Sequence, residues 1–396
     1  MISVGVGYSK KEDTLTGIRE ASRLALSGIQ NPQSEFALLF VTPHHTKAVP
    51  AAVQTLREIT GAVQVAGCSG SGVLTHQEEI EDGPGIAVMT LHSDRISGHS
   101  FFFRNITDRN GIAARTIDDW TRKYKKQEEV LLLFPDAATG NDPTLLNARR
   151  EGNSPACPIL GGYASGKSGA GESVQFNERD QAPGSLSGLD LTGEFSCSIG
   201  ISQAFHPVTG PLIVTRSDKN RIRELRGRPP AEHLSQLIQK PLFSNLSKTL
   251  ERVKIGFPAD PSGTELEPGE YVVCEITGVD PSDGSLLTTR EIEEGRPLFF
   301  MIRDALRSGR EFQECLRQIA ASLASNPPRF GLYFTSSVRG ISLYGSKNVE
   351  IGLIRRYFGP LPLIGFFTRN ELAPINGLNV TLTGSSTLAL ISDSLD

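Results

Sequence analysis

The sequence predicts an α/β fold: repeated strand-helix-strand units forming mixed, layered sheets, in two modules with internal pseudo-symmetry. Three observations lead there. Near-continuous apolar runs of strand length recur at residues 36–41, 130–134 and 331–334. Each is followed, after a segment long enough for a helix, by a second apolar run and a glycine: residues 63–70, 159–166 and 363–367. From the last Phe of each opening strand to the first Gly of each closing loop, the spacing is 27, 27 and 31 residues. A fixed spacing with a shared glycine (Gly67, Gly161, Gly365) points to duplication of one unit.

Within a unit, two continuously apolar strands separated by a crossover read as a parallel pair covered by helices. The crossover is expected to be right-handed. A third strand follows each loop, at residues 85–90, 195–200 and 387–391, and can return antiparallel through the glycine turn. Residues 14–29 carry Ile18, Ala21, Leu24, Ala25 and Ile29 near one helical face, with Thr14 as the cap. Residues 111–124 carry Ile112, Ala113, Ile117 and the lone Trp120, a core anchor. Residues 302–323 carry Leu306, Phe312, Cys315, Leu316 and Ile319, with Gly309 placed to divide the helix in two. Breaker-rich stretches at 203–230 and 255–269 read as a module boundary and an exposed loop. The modules are therefore placed at residues 1–220 and 221–396.

The chain of 396 residues is 38% hydrophobic and 21% charged, enough apolar content for a real core. A net charge of −4 argues against non-specific nucleic-acid binding. The run Arg221, Arg223, Arg226 and Arg228, interleaved with Glu224, reads as a solvated face. No window reaches about 18 apolar residues, so no membrane insertion is expected. The N-terminus lacks the features of a secretion signal. Five scattered cysteines without a Cys-x-x-Cys pair read as reduced thiols of a cytoplasmic protein, with no metal site and no cofactor implied.

Two motifs invite stronger chemistry. Residues 161–168 satisfy G-x-x-x-x-G-K-[ST], but the glycine-rich, extended sequence that follows offers no helix to hold phosphate. Residues 67–72 miss the G-x-S-x-G nucleophile pattern because Ser71 stands where glycine is needed. A parallel pair would bring His44, His45 and Cys68 to one sheet edge, which keeps a cysteine-dependent hydrolase as an alternative. Ligands of such sheets bind at the carboxyl ends of parallel strands. Those ends carry Cys68, Ser69 and Ser71, then Asp136, Thr139, Asn141, Gly161, Gly162, Tyr163 and Ser165, then Thr335, Ser336, Arg339, Phe367 and Arg369. Either arginine suits a carboxylate ligand, or a salt bridge with Glu350 or Glu371.

At these residues the chain resembles the FIST family, with an N-terminal and a C-terminal module. The supporting stretches are residues 65–70, 158–165, the junction 210–215 with Ile222, Leu225, Gly227 and Pro230, then 275–280, 293–295, 336–340 and 362–367. The resemblance spans about residues 25–390. It implies a sensory role: binding a small molecule such as an amino acid or organic acid and passing the signal to a partner in trans. A ligand-free scaffold is the third reading. Two departures stand out: Ser336 replaces a cysteine of the family pattern, and Asn370 rather than glycine precedes Glu371.

Overall fold

The computed structural model describes all residues except 1, 30–33, 105, 107–127, 138–145, 147–156, 167–172, 239–245, 261, 324–325 and 395–396. The predicted helix over 111–124, with Trp120, lies outside the described residues, as do Thr139, Asn141, Lys167 and Ser168. Two compact units emerge: Met1–Ile201 with Phe312–Thr381 and Ser385–Asp396, and Ser202–Glu311 with Leu382–Gly384.

The first unit uses one motif three times. The first repeat runs β1 (Ser3–Ser9), α1 (Thr14–Ser27), β2 (Phe36–Val41), α2 (Val49–Thr60), β3 (Gln64–Ser69), a hairpin of β4 (Gly72–Thr75) and β5 (Glu79–Ile80), and β6 (Ile86–His92). The second contains β7 (Ile96–Phe103), β8 (Glu128–Pro135), β9 (Ile159–Gly162), the hairpin β10 (Gln175–Asn177) and β11 (Gln181–Ala182), and β12 (Leu186–Gly193). The third opens with β13 (Phe195–Gln203). The second unit follows as β14 (Phe205–Pro207), β15 (Leu212–Asp218), β16 (Arg221–Leu225), α3 (Pro230–Ile238), α4 (Leu246–Arg252), β17 (Val253–Pro258), β18 (Tyr271–Cys274), β19 (Ile276–Val279), β20 (Leu286–Thr288) and β21 (Pro297–Arg303). The third repeat then resumes with α5 (Ala305–Leu323), β22 (Pro328–Ser336), α6 (Ile341–Tyr344), α7 (Val349–Phe358), β23 (Leu363–Thr368), the hairpin β24 (Asn370–Ile375) and β25 (Leu378–Thr383), and β26 (Ser385–Asp393).

Each repeat builds the same four strands of a sheet: β1-β6-β2-β3, β7-β12-β8-β9 and β13-β26-β22-β23. The central pairs β2–β3, β8–β9 and β22–β23 are parallel, and β6, β12 and β26 return antiparallel beside them. Each sheet reaches six strands only by receiving a hairpin from another repeat. β10 adds to β3, β4 adds to β23, and β24 adds to β9. The exchange is cyclic, so every repeat donates one hairpin and accepts one. An open edge beside the parallel pair is thereby covered by main-chain hydrogen bonds.

The apolar strands are continuous because both faces are buried. Phe36, Leu38 and Phe40 point into a central core with Val130, Leu132, Phe134, Phe330, Leu332 and Phe334. Ala37, Leu39 and Val41 face the opposite way, into a cluster with Ile18, Ala21 and Leu56 of the covering helices. The last phenylalanines of the three opening strands meet: Phe40 lies 5.2 Å from Phe134 and 6.4 Å from Phe334, and Phe134 lies 6.2 Å from Phe334. Phe366 packs against all three at 4.7–5.9 Å. The shared glycines sit in matching register, Gly67 beside Leu39, Gly161 beside Leu133 and Gly365 beside Tyr333. A Cβ there would lie 1.9, 2.2 and 1.6 Å from the carbonyl oxygen of that neighbour, so only glycine fits.

Several details differ from the sequence reading. The return strand of the second repeat is β12, not residues 195–200. Those residues open the third repeat, because β12 is the strand that pairs with β8. Asp13, not Thr14, caps α1: its carboxylate accepts from Thr16 N–H at 2.8 Å. Thr14 Oγ1 instead contacts His45 Nδ1 at 2.9 Å. Gly309 does not divide the helix, since α5 is continuous. The stretch 255–269, read as an exposed loop, begins inside β17.

The second unit is an antiparallel sheet in the order β18-β17-β21-β15-β16-β20-β19, with β14 pairing beside β21. Its core includes Val214, Ile222, Leu225, Ile255, Val272 and Phe300. Two arginines of the run are ion-paired on its surface: Arg221 contacts Asp280 at 2.9 Å, and Arg223 contacts Asp283 and Asp218 at 3.4 and 3.5 Å.

Candidate functional site

The carboxyl ends of the three parallel pairs lead into the loops before each hairpin. These loops are stitched into a ring. Ser71 N–H donates to Phe367 O at 3.0 Å, Ser165 N–H to Ser69 O at 3.0 Å, and Thr368 Oγ1 to Tyr163 O at 2.7 Å. Ser69, Tyr163 and Phe367 hold the same place in their repeats, two residues after the glycine of close approach. Ser165 Oγ donates to Phe367 O at 3.1 Å and accepts from Ser71 N–H at 2.9 Å. Ser69 Oγ donates to Ser165 O at 3.1 Å and accepts from Val174 N–H at 3.0 Å. Predicted residues from all three repeats thus converge, and all three are buried.

Asp136 lies at the end of β8 in the same neighbourhood. Its Oδ2 accepts from Ser173 Oγ, Gln175 Nε2 and Gly184 N–H at 2.9, 3.1 and 2.9 Å. The counterparts in the third repeat exchange chemistry. Ser336 stands for Asp136, and Glu371, opposite Gly162, stands for Gln175, opposite Cys68. Glu371 Oε2 accepts from Ser385 N–H at 3.0 Å and from Ser385 Oγ. Burial pushes this carboxyl up to about 8. Gly161 and Gly162 serve packing: Gly161 crowds Leu133 O, and a Cβ on Gly162 would lie 2.8 Å from Thr368. The first glycine of the phosphate-loop pattern, Gly161, thus has a packing role within the sheet. Arg369 is exposed.

Arg339 is completely buried, and its guanidinium is already engaged by the rival partner, Glu350. Nε donates to Glu350 Oε1 at 2.9 Å, and Nη2 donates to the same oxygen. The carboxylate also accepts from Tyr344 OH at 2.8 Å, Tyr333 OH at 2.6 Å and Thr335 Oγ1 at 3.4 Å. Burial disfavours the Arg339 cation, but Glu350 outweighs it and holds the guanidinium above its ordinary value.

Sequence reasoning did not single out the acids that clamp this cluster. Glu79 and Glu81 come from the first repeat's hairpin and the residue following it. Asn348 N–H donates to the Glu79 carboxylate, and Glu79 N–H to Asn348 Oδ1 at 2.8 Å. Both Glu81 oxygens accept from Ile341 N–H, at 3.0 and 3.1 Å. Burial, then the nearby Glu350, pushes Glu79 up to about 8, and burial raises Glu81. The only signal was an acidic run, Glu78 to Asp82 interrupted by Ile80, in a place where an exposed turn was equally reasonable.

Cys68 lies on the inner face with Phe40 and Phe366, fully buried, and burial pushes its thiol well above the usual range. His45 Nδ1 is used by Thr14, and His44 Nδ1 lies 3.4 Å from Thr42 Oγ1. Burial lowers His45 to about 4. Among the described residues no histidine is hydrogen-bonded to Cys68, so the thiol has no base to activate it there.

This order of motifs on a threefold repeat is matched by two family models, the FIST N domain over residues 35–228 and the FIST C domain over residues 231–374. The chain belongs to the FIST family. FIST domains are generally small-ligand sensory domains of signalling proteins. The chain is 27% identical over 401 residues to an uncharacterized protein of Mycobacterium tuberculosis, covering 98% of this chain and all of that one. An uncharacterized protein of Mycobacterium bovis is 25% identical over 395 residues, covering 99% and 100%. A solved cyanuric acid hydrolase aligns over the whole of both chains at 11% identity and a TM-score of 0.31, a level from which nothing follows for this FIST protein. No helix among the described residues is long and apolar enough to cross a membrane.

Proposed function

We propose that this FIST protein is a cytoplasmic sensor that binds a small polar molecule, an amino acid or organic acid, and passes the event to a partner protein in trans. The observation that carries the reading is the convergence of Ser69, Tyr163 and Phe367 into one hydrogen-bonded ring, with Asp136 beside it. A ligand gripping one of these loops would strain the other two through shared hydrogen bonds, and each loop leads into a hairpin inserted in another repeat's sheet. A local contact thereby biases all three sheets, which is what a sensor needs. The buried Cys68 thiol favours binding over nucleophilic chemistry.

The test is a thermal-shift and calorimetric screen of the full chain against amino acids and organic acids. A ligand at one hundred times its Kd stabilises by about 2.7 kcal/mol. Asp136→Asn and Ser69→Ala should weaken the ligand found by at least about tenfold, or about 1.4 kcal/mol, while Cys68→Ser changes little. If no member of the panel binds, or Asp136→Asn and Ser69→Ala bind like wild type, the reading fails.

A further inference from the structure

The hairpins β4–β5 and β10–β11 are counterparts. Thr75 N–H donates to Glu78 O, and Asn177 N–H to Asp180 O, closing the same turn. Each lies beside the second helix of the repeat whose sheet it joins, α7 for the first and α2 for the second. Those helices also end alike, with Gly359 N–H on Arg355 O and Gly61 N–H on Arg57 O, so Arg355 and Arg57 correspond.

Their uses diverge. Arg355 Nη2 reaches across and donates to the hairpin carbonyls of His76 and Gln77, and Glu79 and Asn348 exchange two hydrogen bonds beside it. That hairpin is docked on its helix. Arg57 instead folds back, with Nε on Ala62 O at 3.2 Å, and Gln181, the counterpart of Glu79, is exposed. Among the described residues no hydrogen bond joins α2 to the tip of β10–β11. What remains is a cleft of ≈ 440 Å³. That volume suits a small molecule.

The cleft has an apolar wall of Val49, Pro50 and Val53, with Phe176 behind, and Arg57 and Arg179 at its rim. Its carboxylates are already committed. Glu58 accepts from Gln54 at 2.9 Å, Glu178 from Val65 N–H at 3.2 Å and from Ser100, and Asp180 from Arg104 at 2.7 Å. The terminal nitrogens of Arg57 make no hydrogen bond among the described residues. We infer that this cleft is a second binding site, for a small molecule with an apolar body and a carboxylate. The carboxylate oxygens take up the Arg57 fork as the His76 and Gln77 carbonyls take up Arg355. A planar guanidinium matches a carboxylate through paired N–H donors, and the apolar wall accepts the remainder of the ligand. The site is separate from the strand-end ring and stands whether or not that ring binds a ligand.

The probe is sodium benzoate, with benzamide as the neutral control of the same shape, titrated into the full chain by calorimetry and saturation-transfer NMR. Benzoate should bind at least about tenfold more tightly than benzamide. Arg57→Gln should reduce benzoate to the benzamide level. Arg57→Lys, which keeps the charge but loses the fork, should fall between and separates a lost contact from a folding defect. Gln54→Trp fills the cleft from an exposed helix position and should abolish both ligands with an unchanged melting temperature. The inference is overturned if benzoate shows no saturable binding to the wild-type chain, if benzamide binds equally well, or if either Arg57→Gln or Gln54→Trp binds benzoate as wild type does. Run in the Arg57→Gln background, where the cleft no longer holds a carboxylate, the amino-acid and organic-acid screen with Asp136→Asn reads the strand-end ring independently of these outcomes.

Discussion

Replacing Arg339 with Met should destabilise the first unit strongly. The side chain is wholly buried, and Glu350 beside it would keep the hydroxyls of Tyr333, Tyr344 and Thr335 but lose its cation. Glu350 lies close enough to Glu79 and Glu81 to raise the proton affinity of both, so the neighbouring acids offer it no replacement cation. Breaking a buried pair from one side costs about 3–5 kcal/mol, because an uncompensated charge is left in a poorly solvated place. At about 2–4 °C per kcal/mol for a unit of this size, the melting temperature should fall by about 6–20 °C. Glu350→Met should cost about as much. The double variant should cost less than either, about 1–3 kcal/mol, mainly the acceptor lost to two tyrosine hydroxyls. Scanning calorimetry of the four proteins closes the cycle. A loss under about 1 kcal/mol in Arg339→Met, or a double variant as unstable as the sum of the singles, would refute the assignment of Arg339 as a structural partner of Glu350. Such a result would return the guanidinium to the role of a ligand anchor.

The raised carboxyls predict a pH dependence. Glu79 and Glu371 move from an ordinary value of 4.5 to about 8, so folding favours their protonated forms. Their contribution is fully present below about 4.5 and is lost as the pH rises through 8. Glu79→Gln and Glu371→Gln should therefore gain melting temperature over wild type as the pH is raised from about 5 to about 8, and a difference independent of pH would contradict this. The glycines offer a second contrast. Gly365→Ala places a Cβ 1.6 Å from Tyr333 O and should prevent recovery of folded protein. Gly352→Ala in α7 meets nothing within 4 Å and should stabilise by up to about 1 kcal/mol in urea unfolding. Equal behaviour of the two would refute the close-approach argument.

The apolar runs and the spaced glycines were legible because each obeys a local rule. A strand buried on both faces must be apolar throughout, as 36–41 and 130–134 are, and a backbone crossing within 2 Å of a would-be Cβ must be glycine. Those rules also placed Ser69, Tyr163 and Phe367 at equivalent strand ends. The near miss at 195–200 has a local cause as well. The true return strand, β12, reads Leu-Ser-Gly-Leu-Asp-Leu-Thr-Gly, five of its eight residues polar or glycine, and so lacks the apolar run that marks the other strands. Other outcomes depended on distance along the chain. In sequence Arg339 suits a ligand carboxylate, with Glu350 or Glu371 as the competing partner, and only the fold places it on Glu350 beside two tyrosines. Which repeat's sheet a hairpin joins is set by which open edge lies beside it after the chain has folded back, and no short-range pattern encodes that. The same holds for Arg57 and Arg355. The two residues end equivalent helices, and only the placement of the hairpin opposite each one leaves Arg355 bonded to carbonyls and Arg57 facing an open cleft.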